Sequence, residues 1–162
     1  MLEENAPTLK ASSEEIKGIA LREITKENLS DILKLKVASH QEKFVASNAV
    51  SIAQAHFSPE VAWFRAIYVD EVPVGFLMLE DDAINASYYL WRLMIDERFQ
   101  KRGFGKRALE LLIEHVKTRP AATALLISCV SGEGTPCKFY EKLGFIYTGE
   151  VENDELFMRL EF

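Results

Sequence analysis

Cysteine is scarce, with only Cys129 and Cys137 in 162 residues. Two cysteines make no disulfide framework, and no CxxC or Cys/His spacing marks a zinc site. They read as two small thiols of a chain kept in the reducing cytoplasm. Histidine is limited to the scattered His40, His56 and His115, so no metal site is expected. Positive charge is also short: 19 Lys and Arg against 25 Asp and Glu leave a net charge of −6. The basic excess of a nucleic-acid binder is missing. No apolar run approaches the ~20 residues of a membrane span. The opening Met1-Leu2-Glu3-Glu4-Asn5 has no basic segment leading into an apolar core, so neither a signal peptide nor a membrane partner is expected. Repeats and low-complexity tracts are absent.

What remains is an ordinary globular composition, 48% hydrophobic and 27% charged. That is enough to build one core without metals or cross-links. Residues 1–19 are polar and read as an N-terminal extension with a short helix over Ser13–Ile19. The domain proper spans 20–162. Leu21–Ile24 alternates as a first strand, and Thr25 caps a helix carrying Leu29, Ile32, Leu33 and Leu35. A second helix is predicted over Ala49–Phe57, closed before Ser58-Pro59. Trp63–Val69 and Val72–Leu79 form a hairpin around Asp70-Glu71, with acidic Glu80-Asp81-Asp82 after it. Tyr88–Ile95 is another strand. Phe104–Val116 places Ala108, Leu109, Leu112, Ile113 and Val116 on one helical face. Ala124–Val130 is a buried strand, Thr135-Pro136 opens a short helix that Gly144 closes, and Phe145–Gly149 and Leu156–Leu160 end the chain as strands. The predicted order is β-α-α-β-β-β-α-β-α-β-β.

The chemistry concentrates where the Tyr88–Ile95 strand gives way to a basic, Gly-containing loop and then a helix. Free amide N–H groups at a helix start, with the macrodipole behind them, attract anions. Gly103 and Gly105 let backbone approach a phosphate without Cβ interference. Lys101, Arg102, Lys106 and Arg107 reverse the sign of an acidic chain locally. A phosphate-rich ligand is the expectation. A Walker A run is missing, and Gly103-Phe104-Gly105 is followed by Ala108 where a dinucleotide fingerprint has its third glycine.

At these residues the chain resembles the GNAT N-acetyltransferase superfamily. Its acetyl-CoA loop, Gln/Arg-x-x-Gly-x-Gly/Ala, is matched by Gln100-Lys101-Arg102-Gly103-Phe104-Gly105. The strand before it, the helix after it and Phe139-Tyr140-Glu141-Lys142-Leu143-Gly144-Phe145 follow in the family's order, so the likeness covers about residues 21–160. Within the superfamily, Arg92–Gln100 is similar to the bacterial spermine and spermidine acetyltransferases. The chain departs from many members at Glu133 and Pro136, where they carry Asn and Ala.

The resemblance implies an α/β fold: one domain with a mixed, mostly antiparallel sheet of about seven strands and helices on both faces. It implies acetyl transfer from acetyl-CoA to a primary amine in a ternary complex, with no metal. Leu93, Met94 and Ile95 would offer main chain to the pantetheine arm. Arg98, Gln100, Lys101, Arg102, Gly103, Phe104, Gly105 and Lys106 would surround the pyrophosphate. Tyr140 would serve the departing sulfur as acid. Glu42, Glu80, Asp82 and Glu133, with Asp81 in the same run, are candidates for holding distal ammonium groups, and Trp91 for a cation–π contact. A protein N-terminus or lysine as acceptor, a non-enzymatic acyl-CoA sensor, and a homodimer all stay open at this point.

Overall fold

The computed structural model describes residues 18–162. The extension, and the part of its expected helix before Gly18, lie outside the described residues. Ile19 begins a strand. The elements are β1 (Ile19–Arg22), α1 (Leu29–Lys34), α2 (Asn48–His56), β2 (Ala62–Val69), β3 (Val72–Asp82), β4 (Ser87–Ile95), α3 (Phe104–Lys117), β5 (Ala124–Val130), α4 (Cys137–Lys142), β6 (Ile146–Glu152) and β7 (Glu155–Glu161). This is the order of strands and helices that the sequence predicts.

Several boundaries move: β1 lies two residues earlier than expected, α1 has Asn28 and not Thr25 at its N-cap, and β6 runs three residues further, to Glu152. β3 runs on through Glu80, Asp81 and Asp82, which pair with Tyr89, Tyr88 and Ser87 of β4. The ladder overrides the low strand propensity of the acidic run. Seven strands form one sheet in the order β1-β2-β3-β4-β5-β7-β6. Every neighbouring pair is antiparallel except β4 and β5.

The sheet carries a core on each face. On one, α3 lays Ala108, Leu109, Leu112 and Val116 over Leu77, Leu79, Tyr88, Leu125 and Ile127. On the other, Ile32 of α1 and Ala55 of α2 pack on Ala66, Phe76, Met78 and Met94. Side chains in a strand alternate faces, and β4 breaks that alternation once. Met78 pairs with Arg92 but Leu79 with Leu90, leaving Trp91 as the extra residue of a β-bulge. Tyr88 and Leu90 face α3 before the bulge, and Leu93 and Ile95 face it afterwards. The bulge therefore shifts the phase of the strand by one residue.

The two cysteines are not separate thiols. Cys129 at the end of β5 and Cys137 at the start of α4 form a disulfide, with Cα atoms 5.6 Å apart. The intervening loop doubles back, a proximity that their spacing of eight residues does not reveal. The bond ties α4 to β5 beside the site described below.

Asp81, a candidate for ligand binding from the sequence, is committed to the fold. Its two oxygens lie 3.0 and 2.9 Å from Arg119 Nε, clamping the end of α3 to β3. His115 of α3 stacks on Trp63 with ring centroids 4.1 Å apart. Burial depresses the His115 pKa below its ordinary 6.5, against the pull of Asp81, so the imidazole is neutral in the fold. Below pH 6.5 the unfolded chain binds a proton that the folded chain refuses, so stability is full above that pH and falls beneath it. Thermal unfolding between pH 7.5 and 5.5 should show a falling Tm. His115→Phe keeps the stacking but cannot titrate, and should flatten that part of the slope.

Candidate functional site

The parallel pairing of β4 with β5 is confined to one position, Tyr89 opposite Leu126. Beyond it no β4 residue pairs with β5, although β4 stays paired to β3 as far as Ile95. The two strands open like a V. Backbone groups along that edge need partners, since an unmade hydrogen bond in a buried setting is costly. The opening widens into a cleft of about 910 Å³, bounded by β4, β5, the start of α3, α4 and the connection between α1 and α2.

At the wide end of the V the loop after β4 is held from three sides. Asp96, only 2% exposed, accepts hydrogen bonds from Lys36 N, Arg98 N and Arg98 Nε at 3.1, 3.0 and 2.8 Å. Burial opposes its charge, but these donors prevail and hold its pKa below the ordinary value. Gln100 Nε2 donates to Ile95 O at 2.9 Å and to Gln41 Oε1 at 2.7 Å, joining the loop to β4 and to the α1–α2 connection. Gly103, at φ +81°, turns the chain into α3 as its N-cap. The first bond of the helix, Arg107 N to Gly103 O at 3.1 Å, leaves the N–H groups of Phe104, Gly105 and Lys106 outside the helical ladder. Lys101 and Lys106 make no ion pair among the described residues.

The structure sorts the sequence candidates. Leu93, Met94, Ile95, Gln100, Lys101, Gly103, Phe104, Gly105, Lys106 and Tyr140 all line the cleft. Arg98 and Arg102 do not: Arg98 is folded onto Asp96, and Arg102 donates to Arg98 O at 3.3 Å. Glu42 and Trp91 line it, whereas Glu80, Asp82 and Glu133 lie outside the lining. Asp82 instead accepts from Asn85 N and Nδ2 at 3.0 and 2.7 Å.

Tyr140 sits on α4, 7% exposed, with its ring packed edge-on against Phe139 and Phe145. Burial, then the neighbouring Tyr89, pushes its phenol well above the usual range. It is a hydrogen-bond donor that does not ionise at working pH.

Three polar lining residues carried no signal in the sequence, Tyr89, Ser128 and Glu155, and Arg92 entered only as the first residue of the Arg92–Gln100 likeness. They come from β4, β5 and β7, up to 66 positions apart, and only the sheet brings them together. Arg92 donates to Trp91 O at 2.8 Å and Gln54 Oε1 at 3.0 Å, and no carboxylate pairs with it among the described residues.

A sequence model of the Acetyltransferase (GNAT) family matches residues 22–145. The chain belongs to that family. It is an N-acetyltransferase. It is 28% identical over 143 residues to a spermine/spermidine N(1)-acetyltransferase of Bacillus subtilis, covering 83% of this chain and 92% of that protein. It is 32% identical over 100 residues to a peptidyl-lysine N-acetyltransferase of Salmonella typhimurium, covering 62% and 61%. Its fold matches a PaiA N-acetyltransferase of Thermoplasma acidophilum, solved with coenzyme A, at a TM-score of 0.68 and 17% identity over 89% of this chain and 99% of that one.

The two glycines of the loop should behave differently. A Cβ on Gly105 would meet Ile95 and Phe139 at 3.6 and 3.7 Å, ordinary contact. A β-branched residue at φ +81° is strained by roughly 1–2 kcal/mol, equivalent to about 5–30-fold in affinity if the loop relaxes to escape it. Calorimetric titration should therefore show acetyl-CoA binding weakened about tenfold by Gly103→Val and less than about threefold by Gly105→Ala.

Proposed function

We propose that the chain transfers the acetyl group of acetyl-CoA to a primary amine, and that the amine is a polyamine of the spermine or spermidine kind. The V between β4 and β5, aimed at the uncapped amides of α3, is the observation that supports the cofactor side of this reading. Its size and donor set fit an elongated pantetheine arm ending in pyrophosphate. Leu93 and Ile95 offer backbone to the arm, while the amides of Phe104 to Lys106 and the Lys101 and Lys106 side chains face the phosphates.

The chain's residues then divide the chemistry. The amine attacks the thioester carbonyl carbon, and the sulfur leaves as a thiolate. Tyr140 is the donor of the cleft nearest in kind to what that sulfur needs. A thiol has a pKa near ~8.5 and a free phenol near ~10, so full proton transfer from a phenol is already uphill by about 2 kcal/mol. Burial of Tyr140 makes it more so. Its role is a hydrogen bond that tightens as negative charge grows on sulfur, while bulk water supplies the proton in the end.

The polyamine assignment is supported by the Bacillus subtilis relative and by the carboxylates of Glu42 and Glu155 in the lining. The Glu80–Asp82 run, the acidic signal of the sequence, does not contribute to the cleft. Lys43 and Arg92 also line it, so the acceptor end carries both signs. That mixed charge and the Salmonella typhimurium relative favour a lysine side chain as the second reading. A cytoplasmic setting accompanies either reading.

Tyr140→Phe keeps the ring packing and removes only the hydroxyl. It should lower kcat by roughly 10²–10⁴-fold, the range for a lost acid–base group, with acetyl-CoA affinity nearly unchanged. Thiol release from acetyl-CoA, followed with spermidine, a monoamine and a lysine peptide, tests the acceptor. Spermidine should give the highest kcat/KM, and its advantage should shrink with added salt. A lysine peptide used far better than any polyamine would transfer the assignment to the second reading.

A further inference from the structure

Three side chains that no motif connects form a row across the sheet at the vertex of the V. Tyr89 Oη lies 2.6 Å from Ser128 Oγ, and Ser128 Oγ lies 2.6 Å from Glu155 Oε2. The residues stand on β4, β5 and β7, adjacent strands of the sheet, and all three line the cleft. An ionised carboxylate only accepts, so Ser128 donates its single proton to Glu155 and its oxygen accepts from Tyr89. The row therefore has a direction, from the vertex towards Glu155.

Acetyl transfer has a use for such a row. Attack by an amine leaves a surplus proton on nitrogen, and Tyr140, which stays protonated, cannot take it. Glu42, the other carboxylate of the lining, forms no side-chain hydrogen bond among the described residues that would lead to the vertex.

We propose that Tyr89, Ser128 and Glu155 are the proton outlet of the acceptor nitrogen. This rests on the amine-acetylation reading given above. As the N–C bond forms and the C–S bond breaks, the nitrogen proton passes to Tyr89 Oη. The proton of Tyr89 passes to Ser128 Oγ, and that of Ser128 to Glu155 Oε2. Each hydroxyl ends with one proton, the carboxylate becomes a carboxylic acid, and the electron pair of the broken N–H bond stays on the amide nitrogen. The C–S pair leaves with sulfur. Glu155, half-buried at the start of β7, then releases its proton to water. Tyr89 is the catalytic member, and Ser128 and Glu155 act through it.

The surroundings of Tyr89 suit a relay. It pairs with Glu80 across β3, has Arg92 on its own strand, and has Phe157 of β7 with a centroid 6.2 Å away. Tyr140 on α4 is a further titratable neighbour. Burial raises its phenol above the usual value. Glu155 and Glu80 raise it further, and Arg92 opposes them. Tyr89 thus stays a hydroxyl and moves a proton only by receiving one in the same step.

The test measures kcat from pH 6.5 to 9.5, with the amine that wild-type protein uses best, for Tyr89→Phe, Ser128→Ala and Glu155→Gln. Acetyl-CoA affinity and Tm serve as checks on folding. Each variant should lose roughly 10–100-fold in kcat near pH 7.5, a modest share of an acid–base contribution because water can replace the outlet slowly. The deficit should narrow towards pH 9.5, where hydroxide takes the proton. The double variant Tyr89→Phe/Glu155→Gln should be little worse than either single one, since a relay fails as a unit. Ser128→Thr keeps a hydroxyl and should retain most of the rate. Wild-type kcat in the variants, equal losses at every pH, or no rescue by Ser128→Thr would overturn the relay while leaving amine acetylation standing. A wild-type protein that acetylates no amine overturns the functional reading itself and the relay with it.

Discussion

Everything at the site follows from strand pairing that stops early. β4 and β5 share one paired position, Tyr89 with Leu126, and then separate. A parallel pair that ran on would bury the edge of β4 and close the cleft. The bulge at Trp91 marks the parting, because an extra residue bends a strand and increases its twist. β5 in turn is fully paired to β7 along Ala124–Val130, so the sheet continues past the gap without losing its hydrogen-bond network. The open edge is stable as an unpaired edge only because each element around it is anchored elsewhere. β4 is held by β3, and α3 by its apolar face and by the Asp81–Arg119 clamp.

That arrangement sets different groups at the two ends of one cleft. The wide end meets the start of α3 and the two lysines that no carboxylate pairs with among the described residues. The vertex holds hydroxyls, Glu155 and Arg92. In the proposed reading, anion binding and amine chemistry are kept apart along β4, with the thioester between them, near Tyr140. Asp96 matters to this layout although it touches no ligand in the scheme. It is a buried carboxylate that holds Arg98, expected from the sequence beside the pyrophosphate, as a strut of the loop.

The fold was largely legible in the sequence, because its strands and helices declare themselves through local periodicity. The apolar stripe of Leu109, Leu112 and Val116 and the Gly103 turn are properties of short segments, and both came out as read. The wide end of the cleft was legible for the same reason: Gln100 to Lys106 is one contiguous segment, running from the loop into the first turn of α3, and all of it but Arg102 lines the cleft. The acceptor end was not. Tyr89, Ser128 and Glu155 are adjacent only through the strand order, and Cys129 meets Cys137 only because a loop doubles back. The acidic run Glu80–Asp82 misled for a related reason. Charge in a sequence does not say which face of a strand it occupies, nor that Arg119 already holds Asp81.

The central claim is that the unpaired edge of β4 and the first turn of α3 together receive acetyl-CoA. Amide hydrogen exchange with and without acetyl-CoA measures this directly, because free N–H groups gain protection only where a ligand covers them. The account predicts new protection confined to Leu93–Ile95 and Gly103–Lys106, with β1, β2 and β6 unchanged. Tight binding that leaves those amides exchanging as before would contradict it.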